Sequence, residues 1–482
     1  MKKYFFTLLA VLLTFSLTAQ TVGSGGRRKS IYLQYGADHI GRRMDENMNR
    51  WRNHAVGQFI HWGVYSIPAG VWNGKNVQAG EWIRSSVPAD EKHIYDNLYK
   101  EFNPTKFNAK EWAKTSKQLG AKYVIFTTKH HDGFCMWPSK HTGYTIANSP
   151  YKKDIVKEIV DAYNAEGIDV HLYFSIIDWN HKGYRSAIPQ TDKEKAAYKE
   201  FLTFTRNQVL ELMENYPTIK GLLFDGSCDK AWVNEAVWVG ELNKEIRAKR
   251  PDFIIGSRFR NDEYGNRGYD ANGDLIGDYD QSWERDVPES YEYLKGVDWD
   301  CIMTIPENGW GYHSNWTGYI KSSYNFIELL SQCASMEGNF VLNFGPDKYG
   351  NIRAEELKLA KDIGDWVKIN GEALYATTHI DLKKQGWGYY TRKGNNVYMH
   401  VFNVPINNEL FVQMPKATII PSKATFLKDG KEIKIKDGGR NKKNDRLFYL
   451  NLPEGFKATE PFVIKLEVEG NMGDKDLYHQ AH

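Results

Sequence analysis

Residues 221–226 read Gly-Leu-Leu-Phe-Asp-Gly, a short apolar run that ends on a carboxylate and then a glycine. Three consecutive apolar residues with no alternation suit a strand covered on both faces, as in a parallel sheet, and Asp225 then marks the point where the chain leaves the core. Working outward, similar runs recur at 58–62, 123–128, 170–174, 253–256, 301–304 and 340–343. Helical patterns fall between them. Asn108 is placed to cap a helix over 109–119 that stops at Gly120, Ile155, Val156, Ile159, Val160 and Tyr163 form one apolar face ending near Gly167, and a third helix is expected over about 192–213. Alternation of this kind from about residue 57 to 345 predicts repeated βα units. No GxGxxG follows the first strand, and polar residues that can carry chemistry stand at the C-terminal ends of several strands. An α/β fold of the (β/α)8 barrel type is therefore expected rather than a doubly wound sheet, with the eighth strand in an irregular stretch.

The flanks of this region differ from it. A helix over 354–369, closed by Gly371, is followed by short strands punctuated by Lys393-Gly394-Asn395-Asn396, Asp429-Gly430 and Asp437-Gly438-Gly439, the pattern of an antiparallel β-sandwich. At the other end Lys2 and Lys3 precede an apolar run from Tyr4 to Leu17 and the small-residue exit Thr18-Ala19, the pattern of a secretory signal. The run is shorter than the roughly 20 residues a membrane span needs. The expected organisation is a signal peptide over 1–19, a catalytic barrel over 20–375 and a sandwich over 376–482. An exported protein, periplasmic or secreted, follows from this reading.

Composition narrows the partners. The 482 residues carry 63 Lys and Arg against 60 Asp and Glu, so the chain is close to electroneutral and lacks the basic excess of a nucleic-acid binder. The four cysteines, Cys135, Cys228, Cys301 and Cys333, form no CxxC pair, and neither HxH nor HExxH occurs among the strand-end histidines. No metal or other cofactor is expected, and the substrate is expected to be neutral. Asp270-Ala271-Asn272-Gly273-Asp274 resembles the start of a calcium loop. However, Leu275 stands where that loop needs Gly and Gln281 where it needs Glu, so a turn rich in Asx residues is the plainer reading of the stretch up to Asp278.

Strand ends of a barrel point into the mouth where ligands bind, and here they are rich in polar groups. The first ends Phe59-Ile60-His61-Trp62-Gly63, the second Lys129-His130-His131-Asp132-Gly133, and the fourth Phe224-Asp225-Gly226. Glu81-Trp82 lies between the first two, Arg258 follows the fifth, and Glu284 lies further on. Three imidazoles and several carboxyl groups match the hydroxyls of a sugar ring, and an indole beside a carboxylate suits a sugar's CH face and its hydroxyl edge. His130 and His131 are adjacent, so both can face one ligand only where the chain has left regular strand geometry.

Together with Tyr173-Phe174-Ser175, Trp299-Asp300-Cys301-Ile302-Met303-Thr304 and Gly309-Trp310-Gly311-Tyr312, these segments resemble the α-L-fucosidases of glycoside hydrolase family 29, in order along most of the barrel. The resemblance implies a (β/α)8-like barrel with a C-terminal β-sandwich and hydrolysis with retention through a covalent glycosyl-enzyme. It implies Asp225 as nucleophile and His61, Glu81, Trp82, His130, His131, Tyr173, Arg258 and Trp310 as sugar-binding residues. The acid/base is expected at Glu284, where Gly277-Asp278-Tyr279 leads on to a glutamate and Pro288 at the family's spacing, with Glu263 and Glu289 as rivals. Leu223 departs from the tryptophan many members carry two residues before the nucleophile. Such a change opens the alternative of a β-D-galactosidase or a dual enzyme, since one apolar contact discriminates by only about 1–3 kcal/mol. A non-catalytic sugar-binding protein is the remaining alternative, and the expected partner is a fucosylated oligosaccharide or glycoconjugate.

Overall fold

The computed structural model describes residues 43–261, 268–273, 275–294, 296–307, 309–316, 318–415 and 419–470. The expected signal segment 1–19 and Glu263 lie outside them. Eight parallel strands form one sheet: β1 Val56–Ile60, β2 Tyr123–Lys129, β3 Asp169–Ser175, β4 Gly221–Asp225, β5 Ile254–Ile255, β6 Asp280–Glu284, β7 Trp299–Met303 and β8 Asn339–Phe344. Their order is β5-β4-β3-β2-β1-β8-β7-β6. A parallel bridge between Gly256 and Tyr279 joins the two end strands, with Asp278 N donating to Ile255 O at 2.7 Å and Ser257 N to Tyr279 O at 3.1 Å. The strands thus follow one another round a closed ring in chain order, as a (β/α)8 barrel requires. The strand expected in an irregular stretch is β6.

Local sequence accounts for the helices that hold the ring. Asn108 accepts from Lys110 N and Glu111 N at the start of α1 (Ala109–Leu119), and Gly120 ends it at φ 89°, the left-handed conformation that favours glycine. Helix α2 (Ile155–Ala165) buries the predicted apolar face, and α3 (Asp192–Asn215) opens with a capping box between Thr191 and Glu194. Inside the ring, Phe59, Tyr123, Ile125, Tyr173, Leu223, Ile302 and Val341 pack as one buried cluster with Trp310 against it. That cluster closes the interior beneath the C-terminal ends of the strands, so it forms a floor under the mouth.

A helix over Ala354–Asn370 leads to the C-terminal strands β9 Gly388–Lys393, β10 Asn396–Val401, β11 Glu409–Met414, β12 Ile420–Phe426, β13 Lys434–Arg440, β14 Arg446–Asn451 and β15 Phe462–Glu469. They form two antiparallel sheets, β9-β10-β15-β12 and β11-β14-β13, around a shared apolar core. Gly371 caps the helix as expected, at φ −60°, and begins a 3-10 turn. One expectation is corrected here. Asp437-Gly438-Gly439 is not a hairpin turn but an irregularity within β13, where the register shifts between Asp437 and Arg440. Strand β13 is almost wholly exposed and has no apolar alternation, so it left no signal in the sequence. Tyr398 and Val463 of these sheets, and Phe402 just after β10, belong to the barrel's own core cluster. Among the described residues, no helix is long and apolar enough to cross a membrane.

Candidate active site

A cavity of about 310 Å³ opens at the C-terminal ends of the strands, lined by His61, Trp82, His130, His131, Tyr173, Asp225, Arg258, Glu284 and Trp310 together with Phe59, Ile177, Leu223, Gly226, Ser227, Cys228, Asn261, Gln281 and Ile302. Nine of the ten predicted site residues therefore meet in one place. The tenth, Glu81, is buried beside the cavity instead of lining it, and its Oε2 accepts from Gly311 N at 3.0 Å. Burial pushes the Glu81 carboxyl up to about 7, against hydrogen bonds from the Gly311 and neighbouring backbone amides. This hydrogen bond ties Glu81 to the loop that carries Trp310.

Asp225 ends β4, and Gly226 follows at φ 84°. A Cβ at Gly226 would stand 2.5 Å from Ile177 Cγ1, so both the backbone conformation and the space select glycine there. The Asp225 carboxylate takes Arg258 Nη1 on Oδ1 at 3.0 Å and the Tyr173 hydroxyl on Oδ2 at 2.8 Å, with His131 Nε2 3.7 Å from Oδ2. Burial alone would raise its proton affinity. The Arg258 charge and the Tyr173 hydroxyl oppose burial and the carboxyl is held below the usual range, so Asp225 is ionised. Arg258 Nη2 reaches Glu284 Oε2 at 2.6 Å. One guanidinium fork thus spans both carboxyl groups and brings them to the same side of the cavity.

The imidazoles have assigned tautomers. Ser175 Oγ donates to Ile177 O at 2.7 Å, so it accepts from His131 Nδ1 at 2.6 Å, which leaves His131 Nε2 as the acceptor. His61 Nδ1 donates to Asn343 Oδ1 at 2.7 Å, while Asn343 Nδ2 donates to Trp310 O at 2.7 Å, so His61 Nε2 is likewise an acceptor. Burial lowers all three ring pKa values, His61 to about 3, and keeps the rings neutral. Strand β2 ends at Lys129 after a register shift between Thr127 and Lys129, and this exit from regular geometry lets His130 and His131 face the same space. Their rings lie 4.3 Å apart. Trp82, 42% exposed, stands edge-on to His131 at 4.9 Å and to Trp179 at 5.3 Å on the rim.

Asn343 and Ser175, which fix the two tautomers, escaped the sequence reading although each is a polar residue at or next to the C-terminal end of an apolar strand, the same signal that picked out His61 and Asp225. Gln281 and Asn261 were missed with the irregular stretch that hid β6. Of the rival acids, Glu289 lies on a separate groove between barrel and sandwich, lined also by Tyr291, His379 and Tyr389. In the Asx-rich stretch, Asp270 Oδ1 accepts from Asn272 N at 2.8 Å in an Asx turn, while Asp278 pairs with Arg43 at 2.9 Å and Arg247 at 2.7 Å.

The family model described as Alpha-L-fucosidase matches residues 33–372. The chain belongs to the alpha-L-fucosidase family. Among solved structures, a bacterial fucosidase with a monovalent iminocyclitol inhibitor is 45% identical, with 91% of this chain and 99% of that chain covered and a TM-score of 0.83. A GH29 alpha-L-fucosidase from Bacteroides thetaiotaomicron, a covalent intermediate trapped with 2-fluoro-fucosyl fluoride in a glutamate-to-glutamine mutant, is 44% identical over 89% of this chain and 98% of that one, with a TM-score of 0.82. The plasma alpha-L-fucosidase of Homo sapiens is 27% identical over 398 residues, 78% of this chain and 80% of that protein. This alpha-L-fucosidase family member is accordingly a glycoside hydrolase of family 29, with the barrel and C-terminal sheets of its relatives.

Proposed function

We propose that this family member is an exported, retaining exo-glycosidase that removes terminal α-L-fucosyl residues from oligosaccharides or glycoconjugates. The observation that carries this reading is the single Arg258 guanidinium tied to both Asp225 and Glu284 at the mouth of the barrel. In the first step Asp225 attacks the anomeric carbon while Glu284 gives its proton to the glycosidic oxygen, which leaves as the aglycone alcohol. In the second, Glu284 as carboxylate takes a proton from water, the water oxygen bonds to the anomeric carbon, and the ester to Asp225 breaks. For the first step Glu284 must be protonated and must leave Arg258, whose other nitrogen stays on Asp225. The acceptor Nε2 atoms of His61 and His131 receive sugar hydroxyl protons, and Trp82 and Trp310 offer aromatic surfaces.

Sugar choice follows from the floor. Phe59, Leu223, Ile302 and Trp310 leave an apolar side to the cavity. That side suits the methyl group on C5 of fucose, whereas the hydroxymethyl of galactose would bring an unpaired hydroxyl against it. The galactosidase alternative raised by Leu223 is not favoured, since the relatives are alpha-L-fucosidases. We take residues 1–19 as the export signal, 20–375 as the catalytic barrel and 376–482 as the sandwich. Two-carboxyl chemistry needs no cofactor. The test is to incubate the protein with a 2-fluoro-fucosyl fluoride and map the adduct by mass spectrometry. An ester on Asp225 is expected; an adduct elsewhere, or turnover of aryl β-D-galactosides in preference to aryl α-L-fucosides, overturns the reading.

A further inference from the structure

Arg285 follows Glu284 and has φ 57°, a left-handed backbone that an arginine adopts only at a cost. Neighbouring residues of an extended strand point to opposite faces, so a continued β6 would carry the Arg285 side chain away from Glu284. The left-handed turn brings it back. Arg285 N still donates to Ile302 O of β7 at 2.8 Å, which anchors the turn in the barrel wall. The guanidinium then lies 5.6 Å over the ring of Trp310, with Nη2 3.6 Å from Glu284 Oε1 and Nη1 donating to Glu307 O at 3.3 Å. Its side chain is 39% exposed at the mouth.

Three charged or titratable groups face the Glu284 carboxyl: Arg258 beyond β5, which also binds Asp225 on β4, His131 after β2, and Arg285 just past the end of β6. Arg258 is shared with Asp225 and cannot follow Glu284 toward a leaving group without releasing it. Arg285 pairs with Glu284 at 3.6 Å and has no ion pair to Asp225, although its charge also reaches the buried Glu81, and it rides on the residue adjacent to Glu284. We propose that Arg285 is a positioning residue for the acid/base: it orients Glu284 at the glycosidic oxygen and neutralises the carboxylate that appears as the proton departs. The proposal rests on the assignment of Glu284 above. Because the charge on Glu284 develops only as the glycosidic bond breaks, Arg285 matters most for leaving groups that need protonation.

The test compares kcat/KM on 4-nitrophenyl, phenyl and methyl α-L-fucosides for the wild type, Arg285→Gly, Arg285→Lys and Glu284→Ala. Glycine keeps the left-handed turn without strain, so Arg285→Gly removes the guanidinium while the fold melts no lower than wild type. We expect Arg285→Gly to lose about tenfold or more on the methyl glycoside and under about threefold on the 4-nitrophenyl glycoside, through kcat with KM little changed, and Arg285→Lys to recover part of the loss. In a Glu284→Ala background, Arg285→Gly should cost nothing further. Equal losses on all three substrates, a loss confined to KM, or full additivity with Glu284→Ala each overturns the proposal. A wild type inactive on every fucoside instead refutes the function proposed above, so the two failures are distinguishable.

Discussion

Asp225 is held by two partners that favour its charged form, the Arg258 guanidinium and the Tyr173 hydroxyl, and each is a separate handle on the reaction. Arg258 supplies the largest of the effects opposing burial, so Arg258→Gln should let Asp225 protonate at higher pH. Asp225 acts as a carboxylate, which exists above its pKa. The acid limb of the kcat/KM profile is therefore expected to move toward higher pH in that variant, and an unmoved limb would show that Arg258 does not set the charge of the group that limits the rate. Asp225→Asn or Asp225→Gly should lower turnover by several orders of magnitude while leaving the melting temperature close to wild type, because the carboxylate is partly open to the cavity and is not a packing element. Residues of this kind were legible because a polar side chain at the end of an apolar strand has few structural reasons to be there. Glu81 was legible as a polar residue of the site but not as a buried one, since a single chain does not show which backbone amide a carboxylate will meet; the Gly311 amide is 230 positions away.

At the level of elements, helices with caps and apolar stripes were plain in the sequence, and the strands that escaped were those lacking periodicity. Strand β6 pairs with β7 through an irregular register between Asp280 and Trp283, and four of its five residues are polar, where most other strands of the barrel have an apolar core. Its composition is that of a site-bearing segment, so the feature that hid it is tied to its function: Gln281 and Glu284 both face the cavity. Helix α1 provides the opposite case, a purely structural device that local sequence specifies. At Gly120 an added Cβ would stand 2.7 Å from Val367 Cγ1 and 2.8 Å from the Tyr375 hydroxyl, on top of φ 89°. Gly120→Ala should therefore destabilise the protein by about 1 to 3 kcal/mol. A lowered urea midpoint with unchanged kcat/KM at 25 °C is the expected result; an unchanged midpoint would mean that the turn relaxes at no cost.

Across the whole molecule, barrel and sandwich are joined by buried polar contacts as well as shared apolar packing, and their joint carries a titratable group. His400, on β10, is fully buried and accepts or donates at Ser331 Oγ (3.1 Å) and Thr391 Oγ1 (3.0 Å), while Trp366 Nε1 from the preceding helix donates to Pro461 O at 2.7 Å. Burial lowers the His400 pKa to about 4, against a hydrogen bond at the Ala373 carbonyl that raises it. In the unfolded chain the ring has an ordinary pKa near 6.5, so the unfolded state binds the proton first as pH falls. The stability that comes from keeping His400 neutral is complete above about pH 6.5 and is lost progressively down to about pH 4, a change of about 3 kcal/mol from this residue. His54, His61 and His171 are buried with lowered pKa values and add to the acid lability from the barrel side. His400→Gln keeps polar atoms at the joint without a titrating group, so its melting temperature should fall less steeply than wild type between pH 6.5 and 4. Parallel curves for the two proteins would remove His400 from the account and leave the acid response to the barrel histidines alone.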